Sequence, residues 1–407
     1  MLIHFTIGII KETQIPADAR VALTPKGAQQ LLNINKSLQI IVEPSKDRVF
    51  SDEEYMEAGC IIADDLSDCD LLLGIKEVQK ESLLEGKTYM FFSHTVKQQA
   101  HNKEMLQAII DKNITLIDYE FLYGAKRNRI AAFGYWAGLA GAYNTLRAYG
   151  IKNEFFSLLP LAEIEDTQRM YKELKKVKGG KEKILITGTG RVAKGVEEVL
   201  QTCGIYKVDI DGFLHNTYND PVYFCADPLT YAKSKDGKAF TFKGFIKSPQ
   251  NFESNFLRFA EVANVFIAAH FWDPSSPKLF ELTDLSSEKF NIDLIGDITC
   301  DINGSVPTTQ QTASIKESFY DYNPHNGEIE KAFSRKENIT IMAVDKLPSA
   351  LPIEASEYFS EQLVNHVLAY FWMGDYKKVL AKATIVKNGK IQKSYKHLCS
   401  FIQEKNT

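Results

Sequence analysis

Short apolar runs alternate with helical segments along most of the 407 residues, which predicts an α/β fold built on parallel sheets with crossover helices. Two further stretches sharpen that expectation. Residues 183–195 read KILITGTGRVAKG: an apolar run, a glycine turn, then helix-like text. Residues 131–150 read AAFGYWAGLAGAYNTLRAYG, with small residues at Ala137, Gly138, Ala140, Gly141 and Ala142. A helix with such a stripe can approach another backbone closely. In the first stretch Gly188 permits the turn, Gly190 lets backbone approach a ligand, and Ala193 packs helix on strand. The helix start, Arg191 and Val192, offers free N–H groups and a partial positive charge to phosphates. The motif therefore predicts a dinucleotide site. An acid is due about 20 residues further on. Asp209, after the apolar stretch 204–208, fills that place.

Composition bounds the partners. The chain is 44% hydrophobic and 25% charged, ordinary for buried cores, and its formal net charge is −4. That balance gives no electrostatic reason to expect nucleic acid or an acidic membrane. Cys60, Cys69, Cys203, Cys225, Cys300 and Cys399 show no C-x-x-C pair and no Cys/His metal spacing, so no metal is expected. Scattered thiols fit a reducing compartment. The start, MLIHFTIGIIKE, lacks a signal-peptide pattern, and no apolar run approaches the roughly 20 residues of a membrane span. A cytoplasmic enzyme, monomer or small homo-oligomer, is the expectation.

The elements follow in order. Residues 6–10 read as a first strand ending at Lys11-Glu12. Thr24 caps a helix that opens on Pro25 and runs through Leu32. Residues 38–42 are a second strand, and Ser51 caps a helix at Asp52. Residues 71–75, 89–93 and 115–117 read as further strands, ending in Lys76-Glu77, His94 and Asp118-Tyr119-Glu120. Strands at 265–269, 294–295 and 339–344 follow the glycine motif. Pro348 and Pro352 are expected to bar helix from 347–352. A long helix from about 354 to 371 returns the chain to the first lobe, and the last 30 residues read as a helical appendage.

In parallel sheets functional groups collect beyond the carboxyl ends of the strands. Lys11, Lys76, His94 and Glu120 each follow an apolar run directly. Singly each has an ordinary reading as a solvated residue. Together they predict a shared crevice.

The opening GIIKETQIPADARVALTP resembles alanine dehydrogenases, the nucleotide-binding transhydrogenase subunit and lysine-forming saccharopine dehydrogenases. The stretches RVFSDEEYMEAGC, GIKEV, FSHTVKQQ, DYEFL, AAFGYWAGLAG, GTGRVAKGVEEVL, CDINGS and AVDKLPSALPIEAS are similar to the saccharopine branch, above all to lysine–ketoglutarate reductase. The resemblance runs from about residue 7 to 370. It implies two Rossmann-like, doubly wound parallel-sheet domains around a cleft, with the cofactor domain inserted into the substrate domain. The expected segments are 1–132, 133–350 and 351–407.

The resemblance also implies chemistry: saccharopine cleaved to lysine and 2-oxoglutarate, or the reverse condensation, with NAD or NADP. It carries an acid/base pair onto Lys76 and His94, with Glu120 as a tuning carboxylate. Histidine titrates near neutrality; lysine, at about 10.4 in water, must be depressed by its surroundings. A substrate with several carboxylates calls for fixed cations, and Arg20, Lys97 and Arg129 are the candidates, with Tyr135 beside them. Asp345 matches a position near the nicotinamide ribose, and Asp301 one where alanine dehydrogenases carry a functional aspartate. The Asp209 carboxylate would repel a 2′-phosphate, which leans to NAD; Arg191 could meet that phosphate, which keeps NADP open. An alanine dehydrogenase-like or other imino-acid reductase, and a transhydrogenase-like nucleotide-binding subunit, are the rival readings. The small-molecule partner is an amino acid or keto acid in the first two.

Overall fold

The structure, a computed structural model, describes residues 4–15, 18–125, 128–375 and 377–403. It divides into two compact units, Met1–Phe133 with Pro352–Thr407, and Gly134–Leu351. The second is inserted in sequence between the two segments of the first.

In the first unit the parallel strands are β1 (Phe5–Ile9), β2 (Leu38–Val42), β3 (Ile61–Ile62), β4 (Leu71–Leu73), β5 (Thr88–Phe91) and β6 (Thr115–Asp118). They lie in the order β3-β2-β1-β4-β5-β6. The β4 triplet Leu71–Leu73 is wholly buried, as expected of a central strand covered on both faces. Helix α1 (Pro25–Ile34) starts where the sequence signals it: Thr24 accepts the Gly27 N–H, and Pro25 occupies the first turn. Helix α2 (Asp52–Glu57) has a full capping box between Ser51 and Glu54. Helix α3 (Asn102–Asp111) links β5 to β6.

Two expectations for the C-terminal part change. Pro352 does not stop a helix but opens one, Pro352–His366; a proline costs nothing at a first turn, where its missing N–H has no partner anyway. Leu347–Ala350, which includes Pro348, is a single 3₁₀ turn. The last residues are not a purely helical appendage. Thr384–Lys387 and Lys390–Ile391 form an antiparallel pair that extends the sheet beyond β6.

The second unit opens on α4 (Gly134–Lys152), followed by α5 (Thr167–Leu174). Then come β7 (Lys183–Thr187), α6 (Arg191–Thr202), β8 (Tyr206–Lys207), α7 (Ile210–His215), β9 (Val222–Ala226) and α8 (Pro228–Tyr231). A two-stranded hairpin, β10 (Ala232–Ser234) with β11 (Phe252–Ser254), precedes β12 (Val265–Ala268), β13 (Leu294–Asp297), β14 (Tyr320–Tyr322), β15 (Ile329–Lys331) and β16 (Ile339–Met342). The sheet order is β15-β14-β16-β13-β12-β7-β9-β8. Its six parallel strands, β8-β9-β7-β12-β13-β16, run 2-3-1-4-5-6 in chain order. This differs from the 3-2-1-4-5-6 of the usual doubly wound nucleotide-binding sheet in that the third strand, not the second, lies beside the first. The order still reverses between β7 and β12, and β14 and β15 add an antiparallel edge.

The small-residue stripe of α4 is used as its composition predicts. A Cβ on Gly138 would lie 2.0 Å from the Val192 carbonyl oxygen, and one on Gly195 2.2 Å from that of Tyr135. Helices α4 and α6 therefore touch backbone to backbone.

Candidate active site

The strand neighbours β1, β4, β5 and β6 run parallel, so the residues after their carboxyl ends gather along one edge of the first sheet. Glu12, after β1, accepts the N–H of Ile75 at 2.7 Å and of Lys76 at 2.9 Å. Burial pushes its carboxyl up to about 7 against the pull of those two donors. Lys76 is half-buried after β4. Next to it Glu77 is hydrogen-bonded through Oε1 to Nδ1 of His94 and through Oε2 to Gln14. Desolvation would raise Glu77, but the hydrogen bond and charge of His94, and then the charge of Lys76, hold it below the usual value.

His94 follows β5 in the left-handed region, φ 50°. Its ring stacks on Phe92 with centroids 6.4 Å apart. Among non-glycine residues a positive φ is uncommon and concentrates at sites where the chain must aim a side chain. Beneath it Asp118 accepts from the Ser93 N–H at 3.0 Å, the Ser93 hydroxyl at 2.6 Å and the Glu120 N–H at 2.8 Å. Burial raises that carboxyl although the three donors oppose the rise. Asp118 thus ties the ends of β5 and β6 together.

The expected cations fall into three situations. Arg129 pairs with Glu120 at 3.0 Å, which joins two residues singled out from sequence. Lys97 is exposed at the end of the 3₁₀ turn Thr95–Lys97 that follows His94. Arg20 departs from the expectation of an open clamp. It is 3% exposed, its Nε and Nη2 donate to the two oxygens of Asp18 at 2.9 and 2.6 Å, and its guanidinium lies 4.2 Å from the Phe133 ring centroid. Burial would raise Asp18, but Arg20 first, and then Lys76, hold it down. Lys11 is a surface residue paired with Glu43 at 3.0 Å.

In the second unit the glycine turn has the shape a dinucleotide needs. Gly188 sits at φ +99°, and a Cβ there would lie 2.6 Å from the Ala269 carbonyl oxygen. A Cβ on Gly190 would meet nothing within 4 Å, so the space above it is open for a ligand. Gly190 caps α6 with no side chain to satisfy the first N–H groups. Arg191 and Val192 form the first turn, with the Val192 carbonyl against Gly138. These residues fit a pyrophosphate.

Two residues stand elsewhere than the sequence reading had them. Asp209 lies one strand further out than the turn: β8 pairs with β9, and β9 with β7. Its carboxylate caps α7, accepting the Gly212 N–H at 2.8 Å. The acid that flanks the turn is Asp227, immediately after β9, and the Gly188 N–H donates to Ala226 at 2.7 Å. The signal for it was the run VYFCA followed by Asp-Pro at 222–228, which reads as a strand into a helix start. Tyr135 donates its hydroxyl to Glu198 on α6, which also accepts from Tyr171, so its ring belongs to the α4–α6 packing. Glu12 and Asp227 are the residues that sequence left out of the site.

Asp301 and Asp345 are exposed and follow neighbouring strands, β13 and β16. Both act on the thiol of Cys300, which burial first, then Asp297, and then Asp345 and Asp301 push up. Among the described residues no group of three or more His, Cys, Asp or Glu side chains is arranged to hold a metal ion, and no helix is long and apolar enough to cross a membrane.

Residues 8–140 match the family described as alanine dehydrogenase/PNT, N-terminal domain. The chain is 29% identical over 437 residues to the alpha-aminoadipic semialdehyde synthase of Arabidopsis thaliana, covering 96% of this chain and 41% of that protein. It thus spans less than half the length of that relative. It is 26% identical over 378 residues to the NAD(+), L-lysine-forming saccharopine dehydrogenase of Emericella nidulans, covering 87% and 89% of the two chains. Among solved structures an L-alanine dehydrogenase has the same fold, with TM-score 0.64 at 14% identity over 98% of this chain and 100% of that one. A transhydrogenase from Sinorhizobium meliloti follows with TM-score 0.56 at 13% identity, over 95% and 100%. Residues 8–140 are thus similar to the alanine dehydrogenase/PNT N-terminal domain, and the chain as a whole is similar to the saccharopine dehydrogenases and the alpha-aminoadipic semialdehyde synthases.

Proposed function

We propose that the chain is an NAD(P)-dependent oxidoreductase acting on a carbon–nitrogen bond, and that its substrate is saccharopine, cleaved to lysine and 2-oxoglutarate or formed from them. The observation that carries this reading is the set Lys76, Glu77 and His94 at neighbouring strand ends of a chain that also has an open glycine turn on β7. A bound nicotinamide supplies hydride acceptance or donation at the carbon beside the amine nitrogen. The residues of the chain handle the protons. Lys76 takes the proton of the secondary amine and returns it to the departing one. His94 takes a proton from the water that adds to the imine carbon. Glu77, an acceptor only, holds Nδ1 of His94 as the donor and leaves Nε2 to do this work. Glu120, paired with Arg129, tunes the local charge, and exposed Lys97 is a cation for a substrate carboxylate.

In the second unit Gly188, Gly190 and the first turn of α6 hold the pyrophosphate, and Asp301 and Asp345 stand on the nicotinamide side. Asp227 supports NAD over NADP, because a carboxylate beside the turn accepts from ribose hydroxyls and repels a 2′-phosphate. The fungal relative is itself named for NAD(+).

The test is a substrate panel read by nicotinamide absorbance. Lysine with 2-oxoglutarate should consume the reduced dinucleotide, and saccharopine should form it. Turnover with pyruvate and ammonia alone would make the chain an alanine dehydrogenase instead. Exchange of hydride between two dinucleotides without any amino acid would favour the transhydrogenase-like role.

A further inference from the structure

Thr187, Ala268 and Asp297 stand in one row at the carboxyl ends of three adjacent parallel strands, since Thr187 is in register with Ala268 and Ala268 with Asp297. Beyond that row residues 298–309 form a loop that carries Asp301. Two side chains hold it, one buried and one half-buried. Asp297 has no exposed surface. Its Oδ1 accepts the Thr299 N–H at 2.9 Å and the Thr299 hydroxyl at 2.6 Å, and its Oδ2 accepts the Thr309 hydroxyl at 2.6 Å. One carboxylate therefore grips both ends of the loop. His270, two residues after β12, bridges the Thr187 hydroxyl at Nδ1, 2.7 Å, and the buried Ser305 hydroxyl at Nε2, 2.9 Å. A neutral imidazole donates at one nitrogen and accepts at the other, and the two hydroxyls suit either tautomer. Thr187 directly precedes Gly188, whose Cβ position lies against Ala269 and the His270 Cα. His270 thus couples the glycine turn to the loop.

Within the loop Cys300 and Asn303 both adopt positive φ, 53° and 54°. Such residues persist where their surroundings over-determine them, and they flank Asp301 on either side. The Gly304 N–H donates to the Asp301 carbonyl at 2.8 Å and the Asn303 N–H to that of Thr309 at 2.8 Å. The strand order reverses between β7 and β12, so a dinucleotide laid across that point has, on the reading proposed above, its adenosine half on the β7–β9 side beside Asp227 and its nicotinamide half over β12, β13 and β16. The loop belongs to the second half.

We propose that Asp297 and His270 are positioning residues that hold the 298–309 loop, and with it Asp301, in a fixed arrangement beside the glycine turn to receive the nicotinamide end of the dinucleotide. The proposal rests on the reading that the second unit binds a dinucleotide. It acts at the nicotinamide end only, so it separates two ligands that share the adenosine half.

The experiment compares affinity for NADH and for ADP-ribose, which lacks the nicotinamide, by fluorescence and calorimetry on the full chain. Asp297→Ala and Thr309→Val should weaken NADH about tenfold or more and leave ADP-ribose within about twofold. Thr309→Ser, which keeps the hydroxyl, should restore NADH affinity. Ser305→Ala should reproduce the selective loss by cutting the His270 bridge. Should Asp297→Ala not fold, the Thr309→Val and Thr309→Ser pair decides alone. NADH and ADP-ribose falling together, or neither changing in variants that melt like the parent, overturns the proposal. Failure of the unaltered protein to bind either ligand overturns the dinucleotide reading beneath it.

Discussion

Glu77 and His94, 17 residues apart in sequence, form a carboxylate–imidazole pair across the ends of β4 and β5. The carboxylate can only accept, so Nδ1 carries the proton and Nε2 is left to work. Catalytic histidines are held in this way in many unrelated enzymes, because a wrong tautomer or a free ring forfeits much of the rate.

If this pair and Lys76 carry the proton transfers, Lys76→Met and His94→Gln should each lower kcat by roughly 10²–10⁴-fold while leaving dinucleotide affinity within about twofold. Glu77→Gln keeps the shape but not the charge and should cost less, on the order of tenfold. Steady-state kinetics with saccharopine, alongside NADH titration, checks both. Full turnover in the Lys76 and His94 variants would remove these residues from the mechanism.

The two glycines of the turn should behave oppositely. Gly190 has open space where a Cβ would point, so Gly190→Ala should melt like the parent and lose dinucleotide affinity by about tenfold or more. Gly188 has φ +99° and the Ala269 carbonyl at 2.6 Å from that point, so Gly188→Ala should lower the melting temperature by several degrees. Thermal unfolding and binding, measured on both variants, separate the two effects.

Cofactor choice should follow Asp227 rather than Asp209. Asp227→Ser should raise the ratio of NADP to NAD affinity by about tenfold or more, because it removes the charge that repels a 2′-phosphate. Asp209→Ala should leave that ratio unchanged and cost about 1 kcal/mol of stability through the lost α7 cap. Equal effects on the ratio would restore Asp209 to the ribose.

Stability should fall as pH rises through neutrality at one buried carboxyl. Glu12 is raised from 4.5 to about 7 by burial, against the Ile75 and Lys76 N–H groups, so the folded chain binds its proton more tightly than the unfolded one. Its contribution is complete below the unfolded value and lost as pH rises through 7. Asp297, raised to about 6 by burial, acts in the same direction between 3.8 and 6. His270, lowered to about 4 by burial, opposes them: its share is present above 6.5 and lost as pH falls toward 4. Glu12→Gln should therefore gain on the parent between pH 5 and pH 8, by about 2 kcal/mol. Denaturant unfolding at the two pH values measures that difference, and a constant offset would show that Glu12 does not titrate in this window.

Much of the first sheet was legible because its signals are local. Strand β2 was found at its observed bounds, and the Thr24 and Ser51 caps were read correctly, since capping depends on three or four consecutive residues. The same kind of evidence located the glycine turn and α6. At Pro352 the local signal misleads, because the rule against proline in helix interiors does not hold at a first turn. Strand β9 lies beyond the reach of the spacing rule, which ends at Asp209, although its text VYFCA is apolar.

Sequence alone determined the alternation of strand and helix, the turn at Gly188–Gly190, and the gathering of polar residues after β4, β5 and β6. Each is written in neighbouring residues through periodicity, backbone freedom or capping. Only the tertiary structure decided that β9 and not β8 lies beside β7, which moves the flanking acid from Asp209 to Asp227. It also decided that Arg20 gives its fork to Asp18, that Tyr135 serves Glu198, and that Glu77 holds His94. The reason is common to all of these. Strand adjacency and side-chain pairing join residues far apart in the chain, and hydrogen-bond partners and burial, not local propensity, settle which polar groups remain open to a ligand.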